Sequence, residues 1–300
     1  MSQMPILVSG ASGQLGQRVI EYLIGHETGP IIATTRTPEN HKLVVKPNLH
    51  LRLADLDDRT SLPEAFDGAK RLLLISTNSV GAPGRRIAQH RNAIEVAKEV
   101  GVEHIVYTSF LEPIGPGLSL LTADHLATEL LIKESGLGYT VLRNSLYPDM
   151  LARMLAGVGS DGYVSAASGD GRVAYITRDD CARAAGAAMI DTFCGQRVLN
   201  ITGPTLIGAE DIAKIASGVL GREIATVHVS DEELQTRMIS SGTPARLAVF
   251  MAQMESSLAR GALEIQSDQI QPLVGSPAAP PDDFISSYLK RICATGAQPS

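Results

Sequence analysis

Tryptophan is absent from the 300-residue chain, and aromatic residues make up only 4% of it. A surface that stacks bases on aromatic side chains is therefore not expected. Basic charge is also scarce: 26 Lys and Arg stand against 32 Asp and Glu, a formal net charge of −6. The doublets Lys70-Arg71 and Arg85-Arg86 are too short to form the electrostatic footprint of a nucleic-acid binder. No apolar run approaches the roughly 20 residues of a membrane helix. Met1 to Val8 carries no basic region, long apolar core or cleavage site, so no secretory signal is expected. Cys181, Cys194 and Cys293 allow one disulfide at most, and none lies in a C-x-x-C. That usage fits the reducing cytoplasm. The seven histidines are scattered without an H-x-x-x-H pair, so no metal site is expected. G-x-S-x-G is missing, which removes the hydrolase elbow. No Gly-Lys-Ser/Thr closes a glycine loop, which removes a nucleotide-triphosphate site.

Hydrophobic residues at 44% and charged residues at 19% describe a chain that buries a core. Over the first two hundred residues, strand and helix signals alternate. Strands are expected at Pro5–Ser9, Ile31–Thr35, Leu49–Leu53, Arg71–Ile75, His104–Thr108 and Tyr139–Arg143. Helical spacing is seen at Leu15–Ile24, Ile87–Val100 and Ala123–Glu134. Nearly continuous apolar strands between helices imply a parallel sheet covered on both faces. The expected fold is α/β, a doubly wound parallel sheet of the Rossmann kind with a smaller C-terminal α+β lobe. Residues 1–150 are expected to form the sheet core, and residues 151–300 mostly the smaller lobe, with elements at about 173–205 returning to the core. Those elements are a helix at Arg178–Ile190 and a strand at Arg197–Ile201, followed by a helix at Ala209–Leu220. Two or three helical pieces follow Ile224, a Pro-rich break lies at Ser276–Pro281, and Thr295–Ser300 reads as a free tail.

The strongest chemical signal is Ser9-Gly10-Ala11-Ser12-Gly13-Gln14-Leu15-Gly16, between the first strand and the first helix. Gly10, Gly13 and Gly16 give the backbone freedom for a tight turn and let a pyrophosphate approach without a Cβ in the way. The helix start at Ser12, Gly13, Gln14 and Leu15 offers free N–H groups and the positive end of the dipole. This is a dinucleotide signature; a plain glycine-rich turn is its structural counterpart. After the second strand, Arg36 stands where an acid would take the ribose 2′-hydroxyl in an NAD site. An arginine pairs with a 2′-phosphate, so NADPH is favoured over NADH, unless Arg36 is an ordinary loop residue. Asp55 can accept from the adenine amino group while Leu56 packs near the ring, or it can shape a turn for Asp57 and Asp58. Ser76, Thr77, Asn78 and Thr108 lie at C-terminal strand ends, where α/β sites are built; their hydroxyls can also cap helices.

These motifs resemble the NmrA-like group of atypical short-chain dehydrogenases, with particular likeness to NADPH-dependent type-2 quinone oxidoreductases and triphenylmethane dye reductases. The likeness rests on Val8–Gly16, Leu72-Leu73-Leu74-Ile75-Ser76, Gln89-His90-Arg91-Asn92, Tyr107-Thr108-Ser109, His125-Leu126-Ala127-Thr128-Glu129 and Leu142-Arg143-Asn144-Ser145-Leu146-Tyr147. It spans residues 4 to 290 and is weakest in the C-terminal lobe. None of the seven tyrosines is followed four residues later by lysine. The Tyr-x-x-x-Lys proton donor of better-known short-chain dehydrogenases is therefore missing, and His125–Glu129 stands in its place. Quinones and cationic dyes need such a donor less, because hydride yields a delocalised anion or a neutral product.

The resemblance implies an NADPH-dependent reductase of a quinone or related conjugated aromatic acceptor, in detoxification or as a tailoring step on an aromatic natural product. A dinucleotide-binding redox sensor is the alternative. His125 is expected near the nicotinamide ribose or as a proton source, or else as a helix-surface partner of Glu129. Asn144 is expected beside the nicotinamide. Tyr147 is expected at the acceptor pocket or in plain packing, with Phe110, Met150 and Met154 as apolar walls. The protein is expected to act as a monomer or homodimer on a small molecule, without nucleic acid or membrane.

Overall fold

Alternating apolar runs and amphipathic stretches set the architecture. The computed structural model describes residues 4–26, 28–40, 46–79, 82–112, 114, 119–151, 155, 158 and 162–295. Strands β1 (Ile6–Val8), β2 (Ile31–Thr35), β3 (Leu49–Leu53), β4 (Arg71–Leu74), β5 (His104–Phe110) and β6 (Gly138–Asn144) alternate with α1 (Gln14–Gly25), α2 (Leu62–Phe66), α3 (Arg85–Glu99) and α4 (Ser119–Ser135). With β8 (Gln196–Ile201) they form a seven-stranded parallel sheet in the order β3-β2-β1-β4-β5-β6-β8. Every residue of β1, β2 and β4 is buried, as two-faced coverage requires. Leu15, Val19, Ile20 and Leu23 of α1 pack one face together with Cys181, Ala184, Ala185 and Ala188 of α5 (Arg178–Ile190). Phe66 of α2, Ala93, Ile94 and Ala97 of α3 and Ile132 of α4 pack the other. The sheet therefore turns back at β1–β4, and a crevice lies at their C-terminal ends.

The second lobe has its own core and a two-stranded parallel sheet of β7 (Tyr163–Ala166) and β9 (Ala225–His228), which the sequence pattern did not reveal. Around it lie α6 (Ala209–Leu220), α7 (Asp231–Ser240), α8 (Ala245–Ala259) and α10 (Pro281–Thr295). Among the described residues four helices, not two or three, follow Ile224, because α9 (Ile270–Val274) is a single short turn. Ile270, Leu273, Val274 and Ala278 pack into the α1–α5 core, so this stretch also rejoins the large sheet. Thr295 closes α10, and 296–300 lie outside the described residues. Among the described residues no helix is long and apolar enough to cross a membrane. Cys181 is buried and Cys194 exposed, both as free thiols.

The Pro-rich break is fastened by α5. Thr177 caps that helix by accepting the Asp180 N–H and donates to the Asp180 carboxylate at 2.7 Å. The same carboxylate accepts the Ala279 N–H at 3.0 Å and pairs with Arg183. Arg183 in turn donates to Ser276 Oγ at 2.6 Å and to the Pro277 carbonyl at 3.0 Å. Asp180 is 2% exposed, so its removal strands several donors at once. Asp180→Ala is expected to cost about 2–4 kcal/mol and to lower the melting temperature by roughly 5–10 °C. A fall under about 2 °C in a thermal scan would contradict this role.

Candidate active site

The β1–α1 turn is built around two close approaches. The Ser9 N–H donates to the Leu73 carbonyl at 2.9 Å, and Ser9 Oγ accepts the Ile75 N–H at 3.0 Å. The Ala11 N–H donates to the Thr34 carbonyl at 3.0 Å. The turn is thereby pinned to both neighbours of β1. Gly10 has φ +65°, a conformation that side chains resist. A Cβ on Gly16 would lie 2.4 Å from the Gly10 carbonyl oxygen, so α1 can approach the turn only through glycine. A Cβ on Gly13 would meet the same oxygen at 3.3 Å and needs only a small adjustment. Gly13 leads into α1 without a side-chain cap, and no acid occupies the first turn. The first-turn amides of Gln14, Leu15 and Gly16 have no intrahelical acceptor, which makes this end a receptor for anions. Gly10, Ser12, Gly13 and Gln14 are exposed; Leu15 and Gly16 are buried. Ser12 Oγ accepts from Thr35 Oγ1 at 3.2 Å.

Arg36 is exposed directly after β2. Among the described residues its guanidinium has no hydrogen-bond or ion-pair partner, and only its field reaches Asp57. Asp55 Oδ1 accepts the Asp57 N–H at 3.0 Å, the turn-shaping role weighed above. Leu56 is half-buried beside it. Asp57 is taken up by Arg85, at 3.1 and 2.7 Å, and by Gln89 at 2.8 Å. The Arg85 guanidinium holds the Asp57 carboxyl below the usual carboxylate range.

The loop after β4 is fixed by its neighbours. The Ser76 N–H donates to Thr108 Oγ1 at 2.9 Å, which places the buried Thr108 behind the loop. The Thr77 N–H donates to His90 Nε2 at 3.2 Å, and its carbonyl accepts from Arg86 Nε at 2.8 Å. Thr77 Oγ1 is buried and unpartnered among the described residues, and Asn78 is exposed.

Tyr107 and Ser109 point to one face of β5, and His125 and Glu129 lie one turn apart on α4. The two periods mesh. Tyr107 Oη lies 2.9 Å from His125 Nδ1, and Ser109 Oγ donates to Glu129 at 2.6 Å. Glu129 also takes Arg143 at 2.7 Å, so it does not pair with His125 as the surface alternative required. Burial, reinforced by Arg86, pushes His125 down to about 3 and keeps the ring neutral. Burial also holds the Tyr107 phenol well above its usual range. Phe110 lies 6.3 Å from His125, ring centre to ring centre, and packs with Met150 against the second lobe. Met154 lies outside the described residues.

Asn144 ends β6, buried, with Oδ1 unpartnered among the described residues. Beyond it, the Arg178 guanidinium stands 4.5 Å over the Tyr147 ring. Burial raises the Tyr147 phenol, which adjoins Asn144 and the Cys181 thiol. His125, Tyr107 and Tyr147 thus stand at the strand ends as neutral groups, while Arg178 and Arg86 beside them are engaged by Asp149 and by the Thr77 carbonyl. Sequence reasoning gave no role to Arg86, Gln89 and His90. Their signal was polar residues at helical spacing within the apolar stripe of α3. A separate cleft of about 400 Å³ lies beyond β8, lined by Thr202, Asp268, Gln271 and Pro277 among others, and includes none of the candidate site residues.

A sequence profile of the NmrA-like family matches residues 2–273. Quinone oxidoreductase 2 of Escherichia coli (strain K12) is 32% identical over 279 residues, 91% of this chain and 94% of that protein. The crystal structure of an NADPH-dependent quinone oxidoreductase from Escherichia coli complexed with NADPH is similar with a TM-score of 0.83 at 31% identity, covering 94% of this chain and 99% of that one. That of Citrobacter sp. triphenylmethane reductase complexed with NADP(H) is similar with a TM-score of 0.86 at 30% identity, over 94% and 99%. A seven-stranded parallel sheet, a glycine turn under an uncapped helix and a profile match over most of the chain agree: this protein belongs to the NmrA-like family.

Proposed function

We propose that the protein is an NADPH-dependent reductase that delivers hydride to a quinone or a related conjugated aromatic acceptor. The observation that carries the cofactor is the uncapped start of α1 above a turn that admits no side chain at position 16, with an arginine after β2 that has no hydrogen-bond or ion-pair partner among the described residues. The similarity to structures holding NADPH and NADP(H) supports the same choice. Gly10, Ser12, Gly13, Gln14, Leu15 and Gly16 receive the pyrophosphate, and Arg36 receives the 2′-phosphate. Asp55 and Leu56 border the adenine. Ser76, Thr77 and Asn78 form the middle wall, backed by Thr108. The buried Asn144 amide and the His125 ring flank the nicotinamide, and Tyr147 borders the acceptor.

When bound, NADPH supplies the hydride. The protein's own contribution is placement and exclusion of water, since a near-attack geometry alone lowers a barrier by several kcal/mol, roughly 7–11 at most. Reduction of a quinone consumes one hydride and one proton. The hydroquinone anion formed first is delocalised over its ring, and solvent can supply that proton. No tyrosine acid is needed. The test is NADPH oxidation against a panel of quinones, triphenylmethane dyes and enones. Turnover with quinones or dyes is expected. Tight NADPH binding with no turnover of any acceptor would contradict the reading and favour a nucleotide sensor.

Three outcomes follow from the residue roles. Arg36→Ala should erase the preference for NADPH over NADH, a loss of about tenfold or more in NADPH affinity by calorimetry. Equal affinity of the unaltered protein for both nucleotides would contradict this. Gly13→Val should keep its circular dichroism spectrum and lose NADPH binding, because its Cβ fits the turn but its methyl groups occupy the pyrophosphate position. Unchanged affinity in a folded variant would remove the loop from the site. Finally, His125 is neutral well above about 3. The kcat profile should therefore show no imidazole step between about pH 5 and 8. A step in that window that disappears in His125→Ala would contradict a permanently neutral ring.

A further inference from the structure

A helix packed on a sheet normally turns apolar groups inward, yet Arg86, Gln89 and His90 of α3 are 6%, 7% and 0% exposed. All three reach the loop after β4, and Gln89 also reaches the loop after β3. Gln89 donates to Asp57 after β3 and accepts from Ser79 Oγ at 3.0 Å. Asn92, one turn on, donates to the Leu56 carbonyl at 2.9 Å. Arg86 holds the Thr77 carbonyl after β4 and stands 3.8 Å from Asp124 of α4. His90 touches both the β4 loop and α4.

The proton positions around His90 follow from fixed ends. Its Nε2 accepts the Thr77 N–H, which can only donate. The neutral ring therefore carries its proton on Nδ1 and donates it to Thr128 Oγ1 at 2.9 Å. Thr128 passes its own proton to the Asp124 carbonyl at 2.8 Å, which can only accept. The ring also packs edge-on to Tyr107, centre to centre 5.4 Å, and Tyr107 Oη meets His125. One tautomer thus links the middle wall of the cofactor site to the helix that carries His125.

We infer that His90 is a positioning residue. Through Nε2 it sets the Thr77 backbone against the cofactor, and through Nδ1–H it sets α4, and with it Tyr107 and His125, against the nicotinamide. The inference rests on the placement of Thr77 and His125 proposed above. It assigns separate consequences to the two ring nitrogens.

Asparagine and glutamine separate them. The amide nitrogen of Asn stands where Nδ1 stood, and the amide oxygen of Gln reaches where Nε2 stood. His90→Asn should keep the Thr128 link and free the Thr77 amide, raising the NADPH Kd about tenfold while kcat at saturation stays within about threefold. His90→Gln should do the reverse: Kd within about threefold, and kcat with a quinone down about tenfold. Thr128→Val removes only the α4 half and should reproduce the Gln pattern; it serves where a His90 variant does not fold. Parallel losses in Kd and kcat that track the melting temperature in both variants would reduce His90 to a core residue and overturn the inference. So would no change in either constant. The Kd comparison, by calorimetry, decides the Nε2 half even if no acceptor is turned over, so failure of the reductase reading stays distinguishable.

Discussion

The Gly10 carbonyl oxygen lies where any side chain at position 16 would have to begin, and the geometry of the cofactor edge depends on that approach. It brings the start of α1 down over the end of β1. The Ser9 and Ala11 amides then tie the turn to β4 and β2, on either side of the crevice. A helix start held this way, without a cap or an acid, keeps its first amides and its dipole available to an anion. Arg36 continues the positive edge beyond β2. Asp55 and Asp57, beyond β3, are taken up by a turn amide and by Arg85. Uncommitted positive character is thus concentrated where phosphates would lie.

The interior at the strand ends is different in kind. Burial drives His90 and His125 to about 3 and holds the Tyr107 and Tyr147 phenols protonated. His90, His125 and Tyr107 meet neutral partners there, and the charged groups Glu129, Arg143 and Glu112 pair with one another. Such a wall orients without storing a proton to give away. It suits an acceptor whose reduced form is already stabilised by its own ring, and it suits poorly an alcohol or ketone that needs an acid at oxygen. The missing Tyr-x-x-x-Lys and the Tyr107–His125 contact describe the same property, once in sequence and once in space.

The sheet was legible because its signals are local. Ile31–Thr35 and Leu49–Leu53 are found as strands, and Arg178–Ile190 and Ala209–Leu220 as helices, with the bounds that their apolar patterns suggest. The glycine turn was legible for the same reason. The β7–β9 pair was not, because each strand has four residues and Tyr163 pairs with Ala225, far along the chain. His90 was visible as a polar residue in the stripe of α3 and as part of a matching motif, not as a contact. Its partners, Thr77 and Thr128, come from two other elements, and no periodicity in α3 identifies them. Asp55 shows the opposite limit: a turn and an adenine contact call for the same short acid, and the fold displays its turn bond directly.

Direct transfer between two molecules held side by side is the claim to which the turn, Arg36 and the neutral wall all lead. It is tested by single-turnover oxidation of NADPH carrying deuterium on one or the other face of nicotinamide C4, with a quinone as acceptor. A primary isotope effect from one face only is the expected result, because a single fixed orientation presents one hydrogen. Oxidation at the same rate with either labelled face as with unlabelled NADPH, when the transfer step itself is observed, would contradict hydride transfer in this site.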